Sequence, residues 1–293
     1  MIIKHYFRIN STMMFVSFTK IFNKIEVVMF FVLSRKKIIS ALALIITVIA
    51  SCCMISTDNV ATIYFNKSIR KVPIYNVKTE EKIVALTFDA AWGADKTENI
   101  IKILMDNKVG GTFFLVGFWV DKYPELVKKI DSSGLDIGNH SKNHLNMPKL
   151  SNDQMNEELT YVNDEVYKLI GKKPKFFRAP FGDYSNEVID IAKNNNLQPI
   201  QWDVDSLDWK GISSREIVSR VLNKVKNGSI ILCHNNSDHI LEALPVLILE
   251  LKNRGFKMVN LSKLVYENDF TIDNNGTQIK IDGGTNGLRA NEQ

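Results

Sequence analysis

The sequence predicts an α/β fold built as a barrel of about seven β/α units. Three observations carry that expectation. From residue 81 onward, short apolar runs of strand type alternate with helical segments, the pattern of parallel βαβ units. The repeats fall within one stretch, and their number suits a barrel better than an open sheet. Histidine, aspartate and arginine recur directly after the strand-type runs, where such barrels gather functional groups.

The elements follow in order. Ile83–Phe88 (IVALTF) is an apolar run of strand type, and Lys96–Asn107 has Ile100, Ile101, Ile103 and Leu104 at helical spacing. Gly111–Val116 is a strand, Tyr123–Ser132 a helix and Leu135–Asn139 a strand ending. Ser151–Ile170 is a long amphipathic helix, opened by an N-cap serine and stopped by Gly171. Phe176–Arg178 is a strand end, Asn186–Asn194 a helix and Pro199–Asp203 a strand. Ser214–Val225 is a helix behind an N-cap serine. Ser229–Cys233 is a strand, Ile240–Asn253 a helix and Lys257–Asn260 the last strand. Upstream, Ala61–Phe65 and Val72–Val77 form a short β region within a linker spanning 56–80. The polar tail from 267, rich in Asn, Gly, Asp and Thr, is expected to be disordered or loosely strand-like. No internal repeat is present.

The net charge of +5 is unevenly placed. Residues 1–57 hold seven Lys or Arg and one Glu, a net +6, which leaves −1 for the rest. The barrel therefore has no basic stripe of the kind nucleic-acid binding needs. Cys52 and Cys53 are adjacent, and only Cys233 falls in the barrel region, so no disulfide is expected there.

Ile38–Ile55 is an uncharged run preceded by Arg35, Lys36 and Lys37. It is just long enough to span a bilayer, with 1–37 expected to remain cytoplasmic and the barrel to be exported. A signal anchor, a cleaved signal peptide with Ala50 and Ser51 at its end, and a lipoprotein signal at Ile49-Ala50-Ser51-Cys52 are the three readings. The location expected is the cell membrane, with the barrel outside, or secretion. Met29 is a candidate start, in which case much of 1–28 is not translated.

Of five histidines, His140, His144, His234 and His239 all follow expected strand ends. A lone histidine is ordinarily a core residue bonded to a backbone carbonyl. Here Asp89, Arg178, Asp205 and Asp208 repeat the same placement, which weakens that reading. His140 and His144 are four apart, so on a helical turn both imidazoles would face one divalent ion. Such an ion lowers the pKa of a bound water and polarises a carbonyl.

Five segments in order then resemble the polysaccharide deacetylase family, the NodB-type carbohydrate esterases of family 4. They are Thr87-Phe88-Asp89, His140-Ser141-Lys142-Asn143-His144, Arg178-Ala179-Pro180-Phe181-Gly182, Asp205-Ser206-Leu207-Asp208-Trp209 and Leu232-Cys233-His234. The surrounding ALTFDAAWG resembles the sporulation-associated branch. The resemblance implies a distorted, seven-stranded (β/α) barrel, the NodB-homology domain, over 81–266. It implies a monomer acting on a cell-wall polysaccharide such as peptidoglycan, with a divalent metal, zinc or else cobalt.

It also implies roles. Asp89 would be the general base, His140 and His144 the metal ligands, and Arg178 the cation that holds Asp89. His234 would be the general acid, oriented by Asp208 or, as the lesser candidate, Asp205. The backbone N–H of Phe181 would help to stabilise the oxyanion. Trp209 and Leu232 would either wall the acetyl pocket or be ordinary core. The chain departs from the pattern at Ala90, where the family carries a second Asp as third metal ligand, and at Phe181, where it carries Tyr. The site must then borrow a ligand from Asp89, another carboxylate or water, with Asp95 the nearest candidate along the chain. Three functions are therefore compatible: an N-deacetylase, a non-catalytic wall-binding protein on the same barrel, and an O-acetyl esterase.

Overall fold

The computed structural model describes residues 70–281 and, upstream, 17–22, 25–30, 36 and 39–51. The chain divides into two units, 1–69 and 70–293. In the first, β1 (Ser17–Phe22) and β2 (Ile25–Phe30) pair antiparallel with Ser17 opposite Phe30, a hairpin not expected from the sequence. Residues 39–51 are helical (α1). Among the described residues, no helix is long and apolar enough to cross a membrane. The ends of the expected 38–55 span, and the expected strand Ala61–Phe65, lie outside the described residues.

The second unit is organised on β4 (Ile83–Ala90). Its residues are buried on both faces, as a central parallel strand requires. Alternation along it separates two layers. Val84, Leu86, Phe88 and Ala90 join one apolar cluster with α2 (Thr97–Asp106) and α8 (Ile240–Asn253). Ala85 joins a second cluster with Ile74, Phe114, Ile200 and Ile230.

Beside β4 lie β5 (Thr112–Leu115), β6 (Asp136–Asn139), β7 (Phe176–Phe177) and β8 (Gln198–Pro199) in that order. On its other side lie β10 (Ile230–His234) and then β9 (Val204–Asp205). All seven are parallel and form a curled half-barrel. β11 (Lys257–Met258) adds to the start of β4.

The helices between them are α3 (Gly117–Lys122), α4 (Pro124–Ser132), α5 (Asn152–Ile170), α6 (Asn186–Asn194) and α7 (Ser214–Leu222). The sequence reading anticipates all of these but α3. Ser151 and Gln154 close a capping box on α5, and Gly171 ends that helix in the left-handed region, as expected. Ser213 and Glu216 do the same at the start of α7. The short α9 (Leu261–Leu264) follows β11.

Three differences from the sequence reading concern closure of the barrel. The single strand expected at 199–203 is two strands, β8 and β9, which occupy opposite edges of the sheet. The chain between them spans the open side. The segment expected to be a linker joins the domain there. Ile74 donates its N–H to Pro199 O (3.0 Å), and Val77 donates to Gly228 O (3.0 Å). Gly228 has φ 76°, and a Cβ there would sit 1.7 Å from Val77 O, so only glycine permits this approach. The described part of the expected tail is also ordered: β12 (Phe270–Ile272) and β13 (Thr277–Lys280) pair with each other, and β13 pairs with β3 (Asn76–Val77).

Candidate active site

The C-terminal ends of the strands open on a cavity of about 660 Å³. Asp89, next to last in β4, lies beside His234 at the end of β10, and the two are direct partners in the parallel register. Arg178 follows β7, its N–H donating to Asn139 O at the end of β6. Asp208 opens a single 3₁₀ turn after β9. Strand pairing alone thus brings together groups as far apart in sequence as Asp89 and His234.

Arg178 is fully buried and donates from Nη1 to Asp89 Oδ1 at 2.6 Å. Its Nη2 donates to Thr87 Oγ1 (3.0 Å) and to Gln201 O (3.2 Å), and its guanidinium lies 4.1 Å from the centre of the Phe114 ring. Burial pushes the Asp89 carboxyl upward. The charges of Arg178, His140 and His234, with the Arg178 hydrogen bond, outweigh burial and hold it below the usual carboxylate range. Removing Arg178 would leave a buried carboxylate without its counter-charge.

Asp208 accepts twice from His234, from the backbone N–H at 2.8 Å and from Nδ1 at 2.7 Å. Burial pushes His234 down, but the Asp208 hydrogen bond and charge override it, and the imidazole titrates above its ordinary value. Asp205, the lesser candidate for this role, instead accepts the Leu207 N–H at 2.8 Å. The site therefore pairs a carboxylate tuned down with an imidazole tuned up, two titratable groups whose surroundings push their values apart.

His140 and His144 also meet, with ring centroids 5.0 Å apart, but not on a helical turn as expected. Ser141 (φ 68°) and His144 (φ 55°) both take left-handed conformations in an irregular turn. Asn139 Oδ1 accepts the Ser141 N–H, Ser141 Oγ accepts the His144 N–H, and Glu158 on α5 accepts twice from Asn143. His140 Nδ1 lies 2.8 Å from Arg178 O, and its Nε2 is 3.5 Å from Asp89 Oδ2. Burial pushes both imidazoles down, His144 to about 4. His144 Nδ1 is buried without a partner.

The expected divalent-metal centre does not fit these residues. A catalytic zinc site takes three protein ligands. Two imidazoles are present, and one Asp89 oxygen is committed to Arg178. Ala90 does not line the cavity; it packs in the apolar layer beneath the helices. Asp95 is exposed and outside the cavity, so it is no substitute. Among the described residues, no three His, Cys, Asp or Glu side chains are grouped to hold a metal.

The remaining expected residues line the cavity: Phe181, Trp209 and Leu232. Phe181 has φ 61° and is 65 % exposed, and Trp209 is 57 % exposed, so neither is ordinary core; Leu232 is buried. Trp92 was not anticipated. It is 64 % exposed, and its ring meets Phe118 on one side and His144 on the other. Asn236, Ser237 and Asp238, after β10, complete that wall. His239 is the N-cap residue of α8, outside the cavity.

A family model described as polysaccharide deacetylase matches residues 76–200. The chain is 32 % identical over 203 residues to the peptidoglycan-N-acetylmuramic acid deacetylase PdaA of Bacillus subtilis (strain 168), covering 68 % of this chain and 77 % of PdaA. The chain belongs to the polysaccharide deacetylase family. It is also 37 % identical to the uncharacterized protein YlxY of the same organism, over 69 % of this chain and 63 % of YlxY. The chain thus spans less than two thirds of YlxY's length. Among solved structures it resembles BA3943, a family 4 pseudoenzyme from Bacillus anthracis. The TM-score is 0.65 and the identity 34 %, covering 69 % of this chain and 71 % of BA3943. A mutant of BA3943 has restored enzymatic activity. Polysaccharide deacetylases of this group generally depend on a metal, which makes the two-imidazole set a departure.

Proposed function

We propose that this chain removes acetyl groups from N-acetylated amino sugars of a cell-wall polysaccharide, peptidoglycan or a close relative. The observation that carries this reading is the pair of oppositely tuned dyads at one cavity, Asp89 with Arg178 and His234 with Asp208. Asp89, ionised, takes a proton from a water that attacks the acetyl carbonyl carbon. His234, protonated, gives a proton to the amide nitrogen as the C–N bond breaks, so acetate and a free amine leave. Arg178 and Asp208 position the two reacting groups. The Phe181 N–H is assigned to the developing oxyanion, and Trp209 and Leu232 to the walls around the acetyl methyl. The uncharged run 38–55 behind three basic residues supports export and a membrane tether.

Ala90 and the likeness to the BA3943 pseudoenzyme favour a second reading, a non-catalytic glycan-binding protein on the same barrel. Acetate release by the purified full-length chain separates the two. On the first reading, N-acetylglucosamine oligomers or peptidoglycan yield acetate, and Asp89→Asn abolishes it. On the second, no acetate appears and Asp89→Asn leaves glycan affinity intact.

A further inference from the structure

The cavity's charge is one-sided. Among the described residues that line it are Asp89, Asp205, Asp208 and Asp238, and no Lys or Arg. Three of the four have a cationic partner: Asp89 and Asp208 are answered at close range by Arg178 behind the wall and by His234, and Asp238 only by a long contact with Lys96. Asp205 forms no ion pair among the described residues, and Arg220 reaches only its backbone oxygen, at 2.9 Å. Asp238 is 79 % exposed, with Lys96 at 3.9 Å. Lys96 also donates to Asn236 O, and Lys210 lies over the Trp209 ring, so neither cation enters the cavity lining.

The rest of the lining suits a neutral, hydroxyl-rich ligand. Trp92, Phe181 and Trp209 expose ring faces on which a sugar ring can lie. Asn236 Oδ1 and Ser237 Oγ, in the same loop as Asp238, are buried without partners and hold unused hydrogen-bonding capacity.

We propose that the cavity sorts glycans by charge: it takes a neutral N-acetylhexosamine and disfavours a sugar with a carboxylate beside the acetamido group, with Asp205 and Asp238 setting the preference. The placement of the acetamido group rests on the deacetylase reading; the charge rule itself does not require turnover. A carboxylate brought within about 8 Å of either aspartate is repelled enough to weaken binding about tenfold at low salt.

Titration calorimetry on the purified full-length chain tests this with two matched probes. One is an N-acetylmuramic acid-containing tetrasaccharide; the other is the same sugar with its lactyl carboxylate methyl-esterified. The free acid is expected to bind about tenfold more weakly than the ester. The gap should narrow at about 0.5 M salt. It should close in the Asp205→Asn/Asp238→Asn double variant. Equal affinities for acid and ester overturn the proposal, as does a gap that survives in the double variant or a failure of both probes to bind. Acetate release, followed in parallel, keeps the two readings apart. A charge gap without acetate supports the sorting rule while removing the deacetylase reading. Equal binding with acetate released removes the sorting rule alone.

Discussion

The walls of the cavity differ in how completely their polar groups are answered. Along β4, β7, the turn after β9 and β10, each titratable group has a fixed partner: Asp89 has Arg178, and His234 has Asp208. The turn after β6 presents His140 and His144, with one unpartnered ring nitrogen, and at the end of β4 Ala90 stands where the family pattern carries a third donor. Acid–base pairs are complete once two side chains meet, so strand pairing supplies them. A metal centre needs three convergent donors, and a single replacement undoes it. On the deacetylase reading, the two proton-transfer pairs are the complete part of the site and the metal-ligand set is the incomplete one.

The strongest challenge to that contrast is His234→Ala. If the acid–base wall works, acetate release from N-acetylglucosamine oligomers should fall by about 10²–10⁴-fold. A loss of less than about tenfold would assign the proton to another donor. Next is Arg178→Met, which leaves Asp89 buried without its counter-charge. A destabilisation of about 3–5 kcal/mol is expected in urea unfolding at neutral pH. The double variant Arg178→Met/Asp89→Asn should recover part of it, because the stranded charge is then gone. Absence of recovery would mean that packing against Phe114, not the ion pair, is what Arg178 contributes.

Ala90→Asp probes the incomplete wall. Ala90 packs in the apolar layer, so a carboxylate there should cost about 1–3 kcal/mol without metal. If it can turn to join His140 and His144, zinc at about 100 times its Kd should return about 2.7 kcal/mol to the variant and much less to the wild type. Equal zinc effects on both proteins would show that position 90 is not what limits the site.

The same contrast explains what was legible in the sequence. Asp89, Arg178, Asp208 and His234 could be found because each follows an apolar run, and parallel strands align their C-terminal ends. The pairing of His140 with His144 was anticipated, but its geometry was not. The left-handed residues Ser141 and His144 are held by Asn139 and by Glu158 from α5, partners that local spacing does not reveal. Trp92 was missed because an exposed aromatic reads as ordinary surface until Phe118 and His144 are seen against it. The closure by Ile74–Val77 and by β12 and β13 was only faintly legible. Strands of two to four residues are too short to carry a period of two, and the pairing that ties β13 to β3 joins residues about 200 positions apart.

The smallest effect tests how His234 is tuned. Its folded-state pKa lies above the unfolded value because the Asp208 hydrogen bond and charge outweigh burial. The stability this pair contributes is therefore fully present below about pH 6.5 and is lost as pH rises through the folded value. Asp208→Asn should be less stable than wild type by about 1 kcal/mol more at pH 5.5 than at pH 9, as read from urea midpoints at each pH. In the same variant the alkaline limb of the acetate-release profile should move to lower pH, since His234 loses its proton earlier. The acid limb, set by Asp89 and Arg178, should stay where it is. A shift of both limbs together would mean that the two dyads titrate as one network rather than as separate halves of the site.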